Sequence, residues 1–246
     1  MKYGIYSDVH GNLEALETVL KVLDEVEKPD ELLCLGDVVG YGANPNECAN
    51  LVRQTSQTVL AGNHDWAALD LTDTTFFNPV AQKAVAWTRT VLTAENDKYL
   101  RSLPLVAKFD GFMIVHATPS EPEKWNYIIS RNEAKYEFRM FTEQICFIGH
   151  THQPMIVQKT ADELNVIVAR NGTGVVPIDP HSRYIVNVGS VGQPRDRNPQ
   201  SAYCIFDTEA MTVQIKRVDY DIETAQEKII NAGLPELLAD RLATGD

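Results

Sequence analysis

Lys2-Tyr3-Gly4-Ile5-Tyr6-Ser7-Asp8-Val9-His10-Gly11-Asn12 opens the chain, and the pattern it begins decides the fold. Lys2–Ser7 reads as a short strand. Leu13, Leu16, Leu20, Leu23 and Val26 then recur at three- and four-residue steps, the period of an amphipathic helix. Pro29 ends that helix, and Glu31–Leu35 forms a second apolar strand. Pro45 stands near the start of another helix through Leu51 and Val52, and Thr58–Leu60 forms a third strand. Strands alternating with helices predict a largely parallel sheet. Such sheets bind ligands at the carboxyl ends of their strands. Asp8 and His10, then Asp37, then Asn63 and His64 each lie just past one of these strands.

Further along, Pro79 to Leu103 has a helical period, which changes after Pro104. Phe112–Val115, Ile145–Ile148, Pro154–Val157, Leu164–Val168, Tyr184–Val188, Ala202–Phe206 and Val213–Val218 read as strands. A last helical stretch runs from near Ile222 to a break at Gly233-Leu234-Pro235. With no linker, low-complexity tract or internal repeat, residues 1–246 are expected to form a single domain.

Five of the six histidines belong to short motifs: Asp8-Val9-His10, Gly62-Asn63-His64-Asp65, His116 and Gly149-His150-Thr151-His152. Each piece has an ordinary reading when taken alone. Asp8 and His10 could point to one side of an extended segment. Asp37, following Gly36, could cap a helix. Asn63-His64 could be a turn, and His116 a satisfied, partly buried histidine. Two histidines at i and i+2 after a strand, His150 and His152, make a good chelating pair. All the pieces occur once, in order and at strand exits, which points to a metal site. His181, in Asp179-Pro180-His181-Ser182, reads as a surface turn residue.

Composition narrows the class. The chain has 246 residues, 44% of them apolar and 23% charged, with a net charge of −12. That is globular. The acidic balance argues against a nucleic-acid polymer or an anionic membrane as partner. No apolar run is long enough to span a bilayer, and the first residues lack a signal peptide's features. Cys34, Cys146 and Cys204 lie in apolar strand-like runs, and Cys48 is the fourth. Free thiols in a reducing cytoplasm are the expectation, and no thiolate zinc spacing is present.

In that order and spacing, Asp-x-His, Gly-Asp, Gly-Asn-His-Asp, His and Gly-His-Thr-His resemble the calcineurin-like metallophosphoesterase superfamily. Gly36-Asp37-Val38-Val39-Gly40-Tyr41-Gly42 and Gly189-Ser190-Val191-Gly192-Gln193-Pro194-Arg195-Asp196 resemble a compact prokaryotic-type branch. The resemblance implies an α/β (α+β) fold: a four-layer α-β-β-α sandwich of two mixed β-sheets, with a dinuclear metal site at the sheet edge. It assigns Asp8, His10, Asp37 and His152 to one metal, and Asp37, Asn63, His116 and His150 to the other. His64 takes the place of the family's catalytic histidine, with Asp65 placed either to orient it or simply to close the turn, orientation being the expectation.

Two divalent ions carry four positive charges, of which Asp8, Asp37 and a bridging hydroxide remove three. The remaining positive charge suits phosphate. Attack of the bridging hydroxide on phosphorus is the reaction such a site favours. The expected substrate is a small phosphodiester or phosphomonoester. A protein phosphatase, a dinucleoside-polyphosphate hydrolase and a binding scaffold with a vestigial site are the alternatives. The Gly-Asp-x-Val-Asp-Arg-Gly segment of the Ser/Thr protein phosphatases is absent, which counts against that branch. The nitrogen and oxygen ligands suit Mn, Fe, Zn, Co or Ni, and Mn is the working choice by resemblance. Asn12, at the first helix's N-terminus, and Arg195, in the late glycine-rich loop, are candidate substrate contacts. Tyr41, Trp125 and Tyr127 stand in nearby loops and could stack on a base or aryl group.

Overall fold

Tyr3 and Ile5 of β1 (Lys2–Tyr6) enter one buried cluster and Tyr6 another, as the two-residue period of a strand requires. A strand with apolar neighbours on both faces must lie inside a layered structure. The computed structural model describes residues 1–246 and places β1 at the centre of the first of two sheets. Helix α1 (Leu13–Val22) begins where Asn12 accepts a hydrogen bond from the Ala15 amide, and it buries Leu16 and Val19 against Tyr6. β2 (Glu31–Cys34), α2 (Pro45–Thr55) and β3 (Thr58–Val59) follow, and β1, β2 and β3 are parallel.

Asn63–Ala68 forms the short helix α3. The helical period expected from Pro79 to Leu103 resolves into α4 (Pro79–Val91) and α5 (Ala94–Arg101). The break has a local cause. Leu92 is extended, and Thr93 starts a new helix by accepting from the Asn96 amide.

The second sheet begins with β4 (Val106–Lys108) and β5 (Phe112–Val115); α6 (Arg131–Glu137) then leads to β6 (Ile145–Ile148), β7 (Met155–Lys159) and β8 (Leu164–Val168). β9 (Val176–Pro177) returns to the first sheet, β10 (Arg183–Asn187) completes the second, and β11 (Ser201–Asp207) and β12 (Thr212–Val218) complete the first. α7 (Ile222–Asn231) and α8 (Glu236–Thr244) close the chain. The sheet orders are β3-β2-β1-β11-β12-β9 and β4-β5-β6-β10-β7-β8. Both are mixed: β5, β6 and β10 run parallel, while β11 is antiparallel to its two neighbours, β1 and β12.

The sheets meet through Ile5, Leu33, Phe112, Phe147, Val186 and Phe206. α1 and α2 cover the outer face of the first sheet, and Ala134 of α6 with Phe138 packs on Val115 and Ile148 of the second. These are the expected layers, helix, sheet, sheet, helix. α4, α7 and α8 share a further cluster with Tyr41, which anchors the loop after β2. All four cysteines are buried and free, and no helix is long and apolar enough to cross a membrane.

Arg217 of β12 and Asp196 form an ion pair whose side chains are only 4% and 6% exposed. Asp196→Ala leaves the guanidinium buried without its counter-charge and should cost about 3–5 kcal/mol in urea unfolding. Glu121→Ala, which breaks an exposed pair with Lys124, should leave the urea midpoint where it is.

Candidate metal centre

Strand exits supply every predicted ligand. Asp8 and His10 follow β1, Asp37 follows β2, and Asn63 opens α3 after β3. His116 follows β5, while His150 and His152 follow β6. Asp8, His10, Asp37 and His152 form one group and Asp37, His116 and His150 a second. Within each group the ligand atoms lie within 4.8 Å of one another. All of these residues are buried, and Asn63 Oδ1 sits 3.2 Å from His116 Nε2. Asp37 belongs to both groups. His150 and His152, two residues apart in the sequence motif, fall in different groups.

The backbone reaches this arrangement through an uncommon conformation. Asp8, His10, Asp37, His150 and His152 have φ of 55°, 53°, 52°, 65° and 58°. Left-handed non-glycine residues cost on the order of 1–3 kcal/mol each and persist where the surroundings over-determine them. Asp8 and His10 therefore converge by two left-handed turns and not by strand alternation, because β1 has already ended at Tyr6. The loops are tied to one another: the Asp8 amide donates to Gly36 O at 3.0 Å and the His10 amide to Asp37 O at 2.9 Å. Two glycines are required by close approach. A Cβ on Gly62 would overlap the Asp37 carboxylate, and one on Gly149 would overlap Ser7 and Asp8.

Main-chain carbonyls orient the imidazoles. His10 Nδ1 lies 3.3 Å from Val39 O, His116 Nδ1 3.0 Å from Leu35 O, and His152 Nδ1 contacts Gln193 O. His150 differs, with Nε2 2.9 Å from Trp125 O. A carbonyl only accepts, so each ring donates there and turns its other nitrogen toward the centre. His10 and His152 then bring their Nε2 atoms within 3.0 Å. Asp37 Oδ1 accepts from the His64 amide at 2.7 Å, whereas Oδ2 is buried without a donor. That oxygen lies 3.4 Å from His116 Nε2 and 3.6 Å from His10 Nε2. An orphaned carboxylate oxygen among imidazole nitrogens is a fitting environment for bound cations.

Protonation follows from the same geometry. Burial raises the cost of charging His116, but the Asp37 carboxylate 3.4 Å away outweighs it and lifts the pKa to about 9. Burial, then the neighbouring His116, push His150 down to about 3. Without a cation, His116 thus carries a proton at neutral pH that a metal must displace. At pH 7.5, calorimetric metal titrations in buffers of different ionisation enthalpy should register that release, and His116→Asn should lower it by about one proton per chain. An equal release from both proteins would contradict this protonation state.

His64 stands outside both ligand groups. Its ring lies 4.3 Å from Tyr41, 5.0 Å from Phe77 and 4.9 Å from His10, and its Nδ1 is buried without a partner. Burial pushes its pKa down to about 4, so it is a neutral imidazole at physiological pH. Two expectations need correction. Asp65 does not orient His64: its carboxylate accepts from the Val39 amide at 3.0 Å and the Gly62 amide at 2.9 Å, closing the turn into α3. Asn12 is not free for a substrate: it caps α1 and donates to Gly192 O at 2.9 Å and Tyr220 at 3.3 Å. Arg195 remains available near the site, its guanidinium 5.4 Å over the Tyr41 ring. Half-exposed Tyr127 stacks on His150 at 4.1 Å.

Other contributors went unassigned. Asn187 donates to Gly149 O at 2.7 Å and Thr151 at 2.9 Å, bracing the two histidines, and Ser190 donates to Asp8 O at 2.9 Å. Ser190 lies in the Gly189–Asp196 stretch singled out above, whereas Asn187, the last residue of β10, had no signal of its own. His181 is exposed in its turn, as expected.

Residues 1–211 match the calcineurin-like phosphoesterase superfamily domain. The chain is 39% identical to the uncharacterized protein MJ0912 of Methanocaldococcus jannaschii, over 98% of this chain and 97% of that one. It is 32% identical over 131 residues to the symmetrical bis(5'-nucleosyl)-tetraphosphatase of Actinobacillus pleuropneumoniae, 50% of this chain and 46% of that one. A metallophosphoesterase crystal structure from Sphaerobacter thermophilus superposes with a TM-score of 0.87 at 40% identity, over 100% of this chain and 99% of that one. PH1004 of Pyrococcus horikoshii shares the fold, with a TM-score of 0.80 at 18% identity over 100% and 98%. The chain belongs to the calcineurin-like phosphoesterase superfamily, and is a hydrolase acting on phosphoric esters.

Proposed function

We propose that this single-domain chain hydrolyses a small phosphodiester or phosphomonoester at a two-metal centre. Asp8, His10, Asp37 and His152 hold one divalent ion; Asp37, Asn63, His116 and His150 hold the other. The carrying observation is Asp37 Oδ2, buried without a donor and within 3.4 Å and 3.6 Å of histidines from the two groups. When bound, the two ions would supply Lewis acidity toward the phosphoryl oxygens and lower the pKa of a coordinated water.

The protein's own groups do the rest. Asp8 and Asp37 are the only anionic ligands, so the occupied centre keeps a positive charge for the phosphate. The main-chain carbonyls hold the imidazoles in one tautomer and orientation. His64 is neutral, which makes it a hydrogen-bond donor to charge developing on the phosphoryl or leaving oxygen rather than an imidazolium acid. Tyr41 and Phe77 pack against it and keep water from that side. Tyr127, stacked on His150 and half exposed, offers a face to an aryl or base group.

Mn is the working metal by resemblance to the family alone, since the donor set admits Mn, Fe, Zn, Co and Ni alike. Four buried free cysteines support a reducing, cytoplasmic location. The intact ligand set supports catalysis over a vestigial scaffold.

Mn-loaded protein should turn over bis-p-nitrophenyl phosphate or p-nitrophenyl phosphate. Asp37→Asn and His150→Ala should lose metal, measured by elemental analysis, together with activity. His64→Ala should keep both ions and lose about 10²–10³ in kcat. Wild-type protein that carries two ions and hydrolyses neither ester, nor cyclic nucleotides nor a phosphopeptide, would overturn the proposal.

A further inference from the structure

Two arginines from distant parts of the chain converge beside the candidate metal centre. Arg195 donates to Gln193 Oε1 through Nε at 3.2 Å and Nη2 at 2.7 Å. Arg241, on α8, reaches the same oxygen through Nη1 at 3.4 Å. The main-chain carbonyl of Gln193 meanwhile accepts from His152. One residue therefore orients a metal-ligand histidine and gathers both guanidinium groups. Arg195 also lies over Tyr41, whose ring is 4.3 Å from His64 and 4.7 Å from His10. The pair thus borders the Asp8, His10 and His152 side of the centre.

Neither arginine forms an ion pair, although the Asp246 carboxylate acts on Arg241 from a distance. Arg53, Arg89, Arg101 and Arg217 each reach a carboxylate, and Arg183 spends its donors on the carbonyls of Phe138, Phe141 and Glu143. Arg195 and Arg241 have neither arrangement. Their shared acceptor is an uncharged amide oxygen, most of their N–H donors remain over, and Arg241 Nε is buried with no partner. Two half-buried like charges repel, and a glutamate in place of Gln193 would relieve that repulsion. An amide there holds both forks in position while leaving their charge available.

Packing fixes Arg241 in place. Leu238 and Leu242 of α8 bury in the cluster that includes Tyr41. The Arg197 amide donates to Gly245 O at 2.8 Å, locking the end of α8 to the loop that carries Arg195.

We propose that Arg195, Arg241 and Gln193 form a second anion subsite, so that the preferred substrate carries a further phosphoryl group next to the one hydrolysed, as in a pyrophosphate or polyphosphate ester. The subsite rests on the phosphoesterase reading of the metal centre. A carboxylate is satisfied by a single guanidinium fork, whereas the oxygens of a phosphoryl group can accept from two. A terminal phosphate carries about −1.5 to −2 charges near neutral pH, and two neighbouring internal phosphoryl groups of a capped polyphosphate carry a single charge each, so either matches two guanidinium groups.

The test compares diadenosine tetraphosphate with p-nitrophenyl phosphate on Mn-loaded protein, reading the ratio of their kcat/KM values, which does not depend on the fraction of folded enzyme. Arg241→Gln and Gln193→Glu should each lower that ratio by about tenfold or more, with Arg241→Lys in between. Titration calorimetry supplies a readout independent of turnover. Bound metals alone favour pyrophosphate over orthophosphate, so the quantity read is how much of that preference Arg241→Gln removes; about tenfold is expected. An unchanged ratio together with an unchanged preference would overturn the subsite. If the wild type hydrolysed no ester while Arg241→Gln still weakened pyrophosphate binding, the phosphoesterase reading would fall and the subsite would stand.

Discussion

The Asp37 carboxylate is the constraint on which the site depends. It is buried at the exit of β2, takes one hydrogen bond from the His64 amide, and turns its other oxygen toward histidines that arrive from both sheets. A buried carboxylate is tolerable only with compensating positive charge. Interactions with His116, His64 and His10 overcome the burial that would raise its pKa and hold it well below the usual carboxylate range. The other features follow from keeping this group in place. Gly62 leaves it room, left-handed turns bring Asp8, His10, His150 and His152 around it, and the two sheets meet so that their strand exits share one edge.

Much of this was legible in the sequence because the signals were chemical and periodic. The alternation from Lys2 to Leu60 showed the parallel half of the first sheet. The residue types at the strand exits identified each side chain that the fold gathers, from Asp8 to His152. What escaped was whatever residue type does not encode. The carbonyls of Leu35, Val39, Trp125 and Gln193 orient the imidazoles, and a carbonyl has no signature in a sequence. β9 spans two residues and β4 three, too short to show a period. Asp65 and Asn12 were misassigned for one reason: a short polar side chain beside a helix start is as well suited to capping as to chemistry, and here the backbone amides claim both. Arg241 was invisible because only the docking of α8 brings it next to Arg195.

Charge is distributed unevenly. The chain carries −12 overall, yet the one edge where the strands end holds two guanidinium groups without an ion-pair partner beside the proposed metal ligands. An acidic exterior repels long polyanions, while a local positive pocket draws in small ones. The same balance suits the proposed ligand set, in which histidine and asparagine rather than further carboxylates accompany Asp8 and Asp37: more anionic ligands would cancel the charge that receives phosphate.

Anomalous diffraction at the manganese edge, on crystals of Mn-loaded protein, tests the central claim most directly. Two peaks about 3.5–4 Å apart, flanking Asp37 with Asp8, His10 and His152 around one and Asn63, His116 and His150 around the other, are the predicted result. A single peak with Asp37 as a terminal ligand, or ions held by other residues, would contradict it.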